Sequence, residues 1–523
     1  MASTGLSGFS EKALIDHYLT TPRSARRSPQ PLFDAERYRV LVGLGSEVDA
    51  FLDFVLRRFE RGDAMSRDFD VETYLRDNPD IRVAGLDATR HYLDEGWREG
   101  RLAPVASANA PMPDFRNLRG RTRSQDGPEG VDVIVPVYSG HNETLACLHS
   151  VLSAKTEVDY RLVVIDDASP EPGLPGDLAS LAQQGLIVGF TNPRNLGFTA
   201  TANRGLEQSG HRDVVLLNSD TEVYDGWLDR LRAHAYGQPN IGTVTPLSNA
   251  ATILSYPVRL RDNGAPLELS YCELAELAGR LALPPVEIPT AIGFCMYIRR
   301  ACLDEVGLFD LEAFPTGYGE ENDFCMRAAA KGWRHLAATD TFVMHIGSKS
   351  FGARRAALVA AGLKTLERRH PGYHRLIDRV IAEDPLSVTR RELDIARVRR
   401  AGSPMRLVHG GSAESAGPRD LILRKALGRR DRLLIHAPWC PNTPNLSDQR
   451  PVGEPRAMVK LLRDLNVVEL LVAESRLLDR AQVVALRKIA ATMGIPYHEV
   501  EADERVVGVV RPSGSAFRSP GMN

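Results

Sequence analysis

The chain has 523 residues, which is more than one hydrophobic core usually serves, so we expect roughly two to four domains. Its 65 basic and 67 acidic side chains give a net charge of −2, which provides no reason to expect a nucleic-acid partner. Six cysteines without a C-x-x-C pair favour a reducing compartment. An N-terminal stretch without an apolar signal segment, and the lack of a bilayer-length apolar run, favour a cytoplasmic protein.

The first part of the chain predicts a helical domain over residues 1–119, because its apolar residues recur at helical spacing. A polar, glycine-rich segment follows at 120–130, and this composition is typical of a linker.

From residue 131, short apolar runs alternate with helical segments. This alternation predicts an α/β domain with a Rossmann-like, mostly parallel sheet, in which the strands are buried on both faces. The domain continues to residue 400, and its last part is a basic helical extension. A second polar linker is predicted at 401–418, before a small α/β C-terminal domain at 419–523.

Polar side chains follow several of the predicted strands. Ligands bind at the carboxyl ends of the strands in an open parallel sheet, so we expect these residues to meet at one edge. They are Pro136, Val137 and Tyr138 after the first strand; Asp166 and Asp167 after the second; Arg194, Asn195, Gly197 and Asn203 after the third; Asn218, Ser219 and Asp220 after the fourth; and His345 after the last.

Each of these residues also has a purely structural explanation. Adjacent aspartates after a strand are common in turns and helix caps, and a lone histidine is often a buried structural group. The acidic residues of "GYGEENDFCMR" (317–327) would complement a helix N-terminus, and Asp323 would pair with Arg327 one helical turn later.

Taken together and in this order, residues 131–350 resemble a family 2 glycosyltransferase with the GT-A fold. The matching stretches are "VIVPVY", "VVIDDAS", "NPRNLGFTATANRG", "LLNSDTEV", "GYGEENDFCMRA" and "HIGSKSF". They are most similar to the rhamnosyltransferase-like branch, which builds bacterial surface polysaccharides.

The resemblance implies a nucleoside-diphosphate sugar donor. Its base and ribose would lie against Pro136–Tyr138 and Asp166–Asp167, the loop with Asn195, Gly197 and Asn203 would border the nucleotide, and Arg194 would approach the phosphates. The family's D-x-D motif is Asn218-Ser219-Asp220 here, so Asp220 and His345 become the expected ligands of a divalent metal. A carboxylate with an imidazole suits Mn²⁺ somewhat better than Mg²⁺.

The resemblance also assigns the acidic cluster. The second member of the family's acidic pair is the usual base, which makes Glu321 the expected catalytic base. Glu320 and Asp323 would orient acceptor hydroxyls or the loop, and crowding would raise the carboxylate pKa values. The acceptor, a glycan or a lipid-linked glycan, would attack directly with inversion.

Two other functions stay open. One is a catalytically inactive GT-A fold that serves as a glycan-binding or scaffold protein, because Asn218 replaces an acidic residue. The other is a sugar nucleotidyltransferase, which "VIVPVYSGHNE" disfavours because it lacks a glycine-rich phosphate loop.

A basic segment suggests peripheral contact with the inner face of the cytoplasmic membrane. Anionic headgroups would meet Arg354, Arg355, Lys364, Arg368 and Arg369, although a solvated helix face explains the same charges. The sequence does not indicate an oligomeric state.

Overall fold

The structure is a computed structural model, and it describes the regions that hold the predicted catalytic residues. The described residues are 130–263, 267–346 and 352–400; then 402, 404–409, 419–425, 433–437, 440, 442–446, 451–473 and 478–500; and, before 130, positions 74, 78, 81, 91, 113–116 and 118. The predicted helical domain at 1–119 and the linker at 120–130 therefore lie largely outside the described residues.

The described residues form two compact units, one ending at Leu386 and the other beginning at Ser387. In the first unit, the structure gives bounds for ten strands, nine α-helices and one 3₁₀ helix (Thr252–Leu254). The strands are β1 (Val131–Val137), β2 (Tyr160–Asp166), β3 (Val188–Thr191), β4 (Asp213–Leu217), β5 (Thr221–Glu222), β6 (Ile241–Leu247), β7 (Val286–Ile288), β8 (Cys295–Ile298), β9 (Arg334–Phe342) and β10 (Met344–His345). The helices are α1 (His141–Ser153), α2 (Leu174–Gln183), α3 (Phe198–Gln208), α4 (Trp227–Tyr236), α5 (Tyr271–Leu281), α6 (Arg300–Val306), α7 (Glu320–Ala329), α8 (Gly352–Arg369) and α9 (Tyr373–Glu383).

Eight of these strands form one sheet in the order β3-β2-β1-β4-β8-β6-β9-β7. Strands β3, β2, β1 and β4 are mutually parallel, and β6 and β9 are parallel to each other. Strand β8 runs antiparallel between β4 and β6, and β7 pairs antiparallel with β9 at the edge. The predicted α/β class with a mostly parallel sheet is confirmed.

The core of this unit explains why the strands read as continuous apolar runs. Every residue of β4 and of β6 is buried, as expected where helices cover both faces of a sheet. One hydrophobic cluster joins Ile134 and Leu216 on the sheet to Leu206 on α3 and Phe324 on α7. This packing fixes the helix that begins with the glutamate pair.

The second unit contains a five-stranded sheet in the order β13-β12-β11-β14-β15. Its elements are α10 (Ser387–Arg399), β11 (Met405–His409), β12 (Asp420–Lys425), β13 (Leu433–His436), α11 (Pro455–Asp464), β14 (Val467–Ala473), α12 (Arg480–Met493) and β15 (Tyr497–Val500). All neighbours are parallel except β12 and β13.

The domain boundaries predicted from the sequence differ from those of these two units. The stretch 401–418, predicted as a linker, contains β11, the central strand of the second sheet. Helix α10, predicted as part of the catalytic domain's extension, places Ile395 and Val398 in the hydrophobic core of the second unit. The serine and glycine residues on both sides of β11 made this five-residue strand hard to see.

Among the described residues, none of the helices combines the length and the apolar character that a membrane crossing needs.

Candidate active site

A short antiparallel pairing brings Asp220 and His345 together. Strand β5 begins directly after Asp220, and it pairs with β10 so that His345 lies opposite Thr221. The backbone N–H of Ile346 also donates to the Asp220 carbonyl at 2.9 Å. As a result, Asp220 Oδ1 lies 3.3 Å from His345 Nε2, at the carboxyl end of β4.

The His345 imidazole has a defined orientation. Its Nδ1 lies 2.8 Å from the carbonyl oxygen of Ala250, which can only accept, so Nδ1 carries a proton. Nε2 then faces Asp220 and the side-chain amide of Asn218, 3.4 Å away. The ring stacks on Phe294 with centroids 5.2 Å apart. Burial lowers the pKa of His345, but the hydrogen bond and charge of Asp220 outweigh it and raise the pKa above its ordinary value.

This pair fits a small divalent cation. Two adjacent ligand atoms, each about 2 Å from one ion, lie about 3 Å apart, close to the observed separation. A histidine ligand usually donates its second ring N–H to a carbonyl, as His345 does to Ala250. Within the described residues no group of three or more His, Cys, Asp or Glu side chains forms a metal site.

The glutamate pair begins helix α7 directly after a strained turn. Gly317, Tyr318 and Gly319 all have positive φ, of 85°, 66° and 134°. A left-handed conformation is costly for a tyrosine, and such strain is often found at functional sites. The turn ends at Glu320, whose Oε2 accepts from the Gly319 N–H at 3.0 Å.

Burial acts on both glutamates of the pair. Glu320 is buried, and burial together with the charge of Glu321 raises its pKa well above the ordinary value. Glu321 is half-buried beside Gly293, where an added Cβ would lie 3.7 Å from Glu321 Cγ. Burial raises the pKa of Glu321 as well, although the backbone N–H groups at the helix start act in the opposite direction.

Asp323 has a different environment from its neighbours. Its side chain is fully buried, and Arg327 Nε donates to Oδ2 at 2.7 Å. Arg369 Nε and His370 Nε2 lie 3.0 and 2.9 Å from Oδ1. Burial raises the pKa of Asp323, but the hydrogen bonds from Arg327 and His370 lower it below its ordinary value overall. The crowding expected to raise the pKa does not do so here, and the carboxylate links α7 to the end of α8.

On the nucleotide side, Asp167 organises the loop that follows β3. Its Oδ1 accepts from the Leu196 N–H at 2.8 Å and the Asn192 amide at 2.7 Å, and its Oδ2 accepts from the Gly197 N–H at 2.9 Å. Asp166 Oδ1 accepts from the Ser169 N–H at 2.8 Å. Both aspartates are buried, so both shape the edge of the sheet in addition to any role toward a ligand.

The remaining predicted residues divide by exposure. Tyr138 is 40% exposed, next to half-buried Pro136 and buried Val137. Arg194 and Asn195 are exposed, and Asn195 Oδ1 accepts from the Gly197 N–H at 2.9 Å. Asn218 and Ser219 are half-buried.

Gly197 and Asn203 connect this loop to the segment before the glutamate pair. Gly197 has φ 85°, and an added Cβ would lie 3.0 Å from the Pro315 carbonyl. The Asn203 amide donates to the Phe309 carbonyl at 2.9 Å and accepts from the Phe309 N–H at 3.0 Å. Both residues therefore have a structural role in addition to the predicted one.

The residues that surround His345 were not predicted from the sequence. Asn249 and Ala250 follow β6, a fully buried strand with the sequence "IGTVTPL", and they hold His345 through hydrogen bonds. The rule that polar residues after parallel strands gather at one edge therefore would have found Asn249. Phe294 had no such signal, because its ring contact depends on the fold.

Comparison with known proteins identifies a family over part of the chain. Residues 132–307 match the model of Glycosyl transferase family 2. A protein of Rickettsia bellii named "Uncharacterized glycosyltransferase" is 27% identical over 99 residues, which is 19% of this chain and 14% of that protein. An uncharacterized protein of Sinorhizobium fredii is 24% identical over 292 residues, 53% of this chain and 30% of that protein. The chain thus spans less than a third of these relatives' length.

Two solved structures show distant similarity. GalNAc-T7 with UDP, GalNAc and Mn²⁺ has a TM-score of 0.36 and 19% identity, over 46% of this chain and 48% of the other. The mannosyltransferase PcManGT from Pyrobaculum calidifontis with GDP-Man and Mn²⁺ has a TM-score of 0.35 and 17% identity, over 64% and 88%.

Proposed function

Because residues 132–307 match the model of Glycosyl transferase family 2, we propose that this protein is an inverting, metal-dependent glycosyltransferase. It moves a sugar from a nucleoside-diphosphate sugar to a hydroxyl of a glycan acceptor. The observation that supports this most is the pair Asp220 and His345, aligned with Nε2 facing the carboxylate at the carboxyl end of β4.

Glu321 is the proposed base. Its raised pKa makes it a stronger proton acceptor than an ordinary glutamate, as deprotonation of an acceptor hydroxyl requires. Glu320 lies next to it, is more deeply buried and accepts from the Gly319 N–H, so we assign it the orientation of the loop. Direct attack by the acceptor needs no second catalytic carboxylate, which is why we propose inversion.

Asp220 and His345 would hold Mn²⁺ or Mg²⁺. Such an ion, when bound, would stabilise the negative charge that develops on the departing diphosphate. The Asn218 side-chain amide, in place of a carboxylate, leaves the protein contributing one negative charge to this ion. The diphosphate oxygens would supply the rest of the negative charge.

The setting of the reaction belongs to the same proposal. The sequence resemblance favours a rhamnosyltransferase-like enzyme of surface-polysaccharide synthesis, in the cytoplasm, with a glycan or lipid-linked glycan as acceptor. Lys364 and Arg368 are exposed on α8, which is compatible with contact to anionic headgroups. The side chains of Arg354 and Arg355 lie outside the described residues, and Arg369 instead pairs with Asp310 and Asp323.

One contact argues against a sugar nucleotidyltransferase. The N-terminus of α1, directly after β1, receives the Glu171 carboxylate, which accepts from the N–H groups of Gly140 and His141 at 2.7 Å each. A phosphate-binding loop would need these donors free. An inactive scaffold is the alternative that the experiment below has to exclude.

The experiment tests the full chain against UDP-, GDP- and dTDP-linked sugars with Mn²⁺, with water as the acceptor of the sugar, and measures the release of nucleoside diphosphate. We expect release from one nucleotide class and its loss in excess chelator. We also expect Glu321→Gln to lower the rate about a hundredfold to ten-thousandfold. The thermal shift that the nucleoside diphosphate gives with Mn²⁺ should be retained, because Glu321 does not hold the donor.

The matched control is Glu312→Gln, an exposed glutamate in the segment before α7, which should keep the wild-type rate. If wild-type protein binds a nucleotide sugar but never cleaves it, the scaffold alternative is correct. Wild-type speed in Glu321→Gln would remove Glu321 as the base.

A further inference from the structure

His345 is held from a second side by the segment that follows β6. The strand β10 has two residues and pairs with β5, so by itself it would fix the histidine weakly. Asn249 closes the other side: its Oδ1 accepts from the His345 N–H at 2.8 Å, and its Nδ2 donates to the His345 carbonyl at 2.7 Å. The Asn249 side chain thus makes the two backbone hydrogen bonds to His345 that a neighbouring strand would otherwise make.

Asn249 is itself held in place. It is 5% exposed, and its carbonyl accepts from the backbone N–H of Asn263 at 2.9 Å and from the Asn263 amide at 3.0 Å. Because Asn249 is held in place by Asn263, it can fix the position of the His345 backbone.

The next residue fixes the ring. The Ala250 carbonyl accepts a hydrogen bond from His345 Nδ1–H, with 2.8 Å between nitrogen and oxygen, so the same short segment sets both the backbone position and the tautomer of His345. Phe294 limits the ring's tilt by stacking on it at an interplanar angle of 20°. These contacts together direct Nε2 at Asp220.

We propose that Asn249 is a positioning residue of the metal site, which holds His345 so that Nε2 and Asp220 Oδ1 are pre-arranged for one divalent cation. The inference rests on the proposed metal-dependent transfer and adds a residue that never touches the metal. Groups that orient metal ligands typically change metal affinity about 10- to 100-fold when they are removed.

The test measures metal binding directly, without catalysis. Free Mn²⁺ is followed by electron paramagnetic resonance in a titration of the full chain, with the metal alone and with UDP, GDP or dTDP. Asn249→Ala should raise the dissociation constant for Mn²⁺ about 10- to 100-fold. Thr339→Val is the control. It removes a hydroxyl on β9 that donates to the carbonyl oxygens of Leu283 and Pro284, in the segment before β7. The dissociation constant of Thr339→Val for Mn²⁺ should stay within about twofold of the wild-type value.

A second readout needs no metal. Nitrogen-15 NMR of the imidazole, above its pKa, should show His345 protonated at Nδ1 in wild type and as a mixture of tautomers in Asn249→Ala; His345→Gln assigns the signal. If Asn249→Ala does not fold, Phe294→Leu takes its place, with a smaller loss of Mn²⁺ affinity expected.

The outcomes separate the two claims. Wild type that binds Mn²⁺, with Asn249→Ala binding equally well, overturns the role of Asn249 and leaves the proposed function intact. Wild type that binds no Mn²⁺ under any of these conditions overturns both.

Discussion

Three carboxylates within four positions of α7 have three different environments. Glu320 is buried and its pKa is raised, Glu321 is half-buried beside Gly293, and Asp323 is enclosed by cations that lower its pKa. From their positions in the sequence, the three side chains would be expected to have similar environments. What separates them is the side of the helix on which each lies and what the rest of the chain places there.

Glu320 gives a prediction about pH and stability. A buried carboxyl with a raised pKa stabilises the fold when protonated; this contribution is fully present below the ordinary pKa of 4.5 and is lost as the pH rises through the folded-state value. Glu320→Gln removes the ionised form but can keep the hydrogen bond from Gly319. We therefore expect its melting temperature to exceed that of wild type at neutral pH.

The measurement is a set of melting curves between about pH 5 and pH 8. The advantage of Glu320→Gln should grow as the pH rises, whereas Glu312→Gln on the surface should show a flat difference. An advantage that is constant or that shrinks toward neutral pH would contradict the raised pKa.

At this scale the sequence predicts residues that follow strands and fails for those that depend on distant partners. The proximity of Asp220 and His345 was predictable because the ends of parallel strands share one edge of the sheet, and their role toward a metal stays a prediction. The contacts of Asp323 with Arg369 and His370 could not be predicted, because Arg369 ends α8, 46 residues later in the chain, and His370 follows that helix. Spacing along α7 indicated Arg327 alone.

Asp323 connects two elements, and this gives the second prediction. Asp323→Asn leaves Arg327 and Arg369 with an amide in place of their shared carboxylate, and removing one member of a buried ion pair typically costs about 3–5 kcal/mol. The lowered pKa has the matching sign: its contribution is present above the ordinary value of 3.8 and is lost as the pH falls through the folded-state value.

Urea unfolding of Asp323→Asn and of Glu276→Gln makes the comparison. Glu276 pairs with Arg280 at the same helical spacing on the surface of α5, where such pairs contribute about 0–1 kcal/mol. Equal losses in the two variants would show that the Asp323 cluster is no more than a surface pair.

Helix α8 packs on the strained turn before the glutamates through Gly362. A Cβ added at Gly362 would lie 1.8 Å from the Tyr318 carbonyl, and one at Gly319 would lie 3.2 Å from Leu366. Gly362→Ala must therefore displace either the helix or the turn. Because Glu320 and Glu321 follow the turn directly, we expect a loss of transfer rate as well as of stability.

The matched variant is Gly176→Ala in α2, where an added Cβ meets nothing within 4 Å. Alanine at such a position is expected to be neutral or to stabilise by about 0.4–1 kcal/mol. The transfer rate and the melting temperature are measured for both variants. If Gly362→Ala matched Gly176→Ala in both, the close packing of α8 on the turn would be disproved.

For the whole molecule, the sheet was predictable because its central strands are rich in apolar residues, as strands that are buried along their entire length must be. The two antiparallel strands, β8 and β7, were harder to predict. They have four and three residues, and such short segments do not reveal the direction of a strand. The division between the units was harder still, since α10 reads as one more basic helix and only its packing shows which core it serves.

The last prediction tests that division with two truncated chains, one ending at Leu386 and one at Arg400. The longer chain keeps α10 but loses the strands against which Ile395 and Val398 pack, and each exposed side chain costs about 1.5–3 kcal/mol of lost burial. It also loses Asn445, whose backbone N–H and side-chain amide donate to the fully buried Asp394 at 3.0 and 2.9 Å.

We therefore expect the chain ending at Arg400 to be less soluble and to bind more of a hydrophobic dye than the chain ending at Leu386. Dye fluorescence and the soluble fraction after expression measure this, with the full chain as reference. If the chain that ends at Arg400 is more soluble and melts at a higher temperature than the chain that ends at Leu386, α10 belongs to the first unit, as predicted from the sequence.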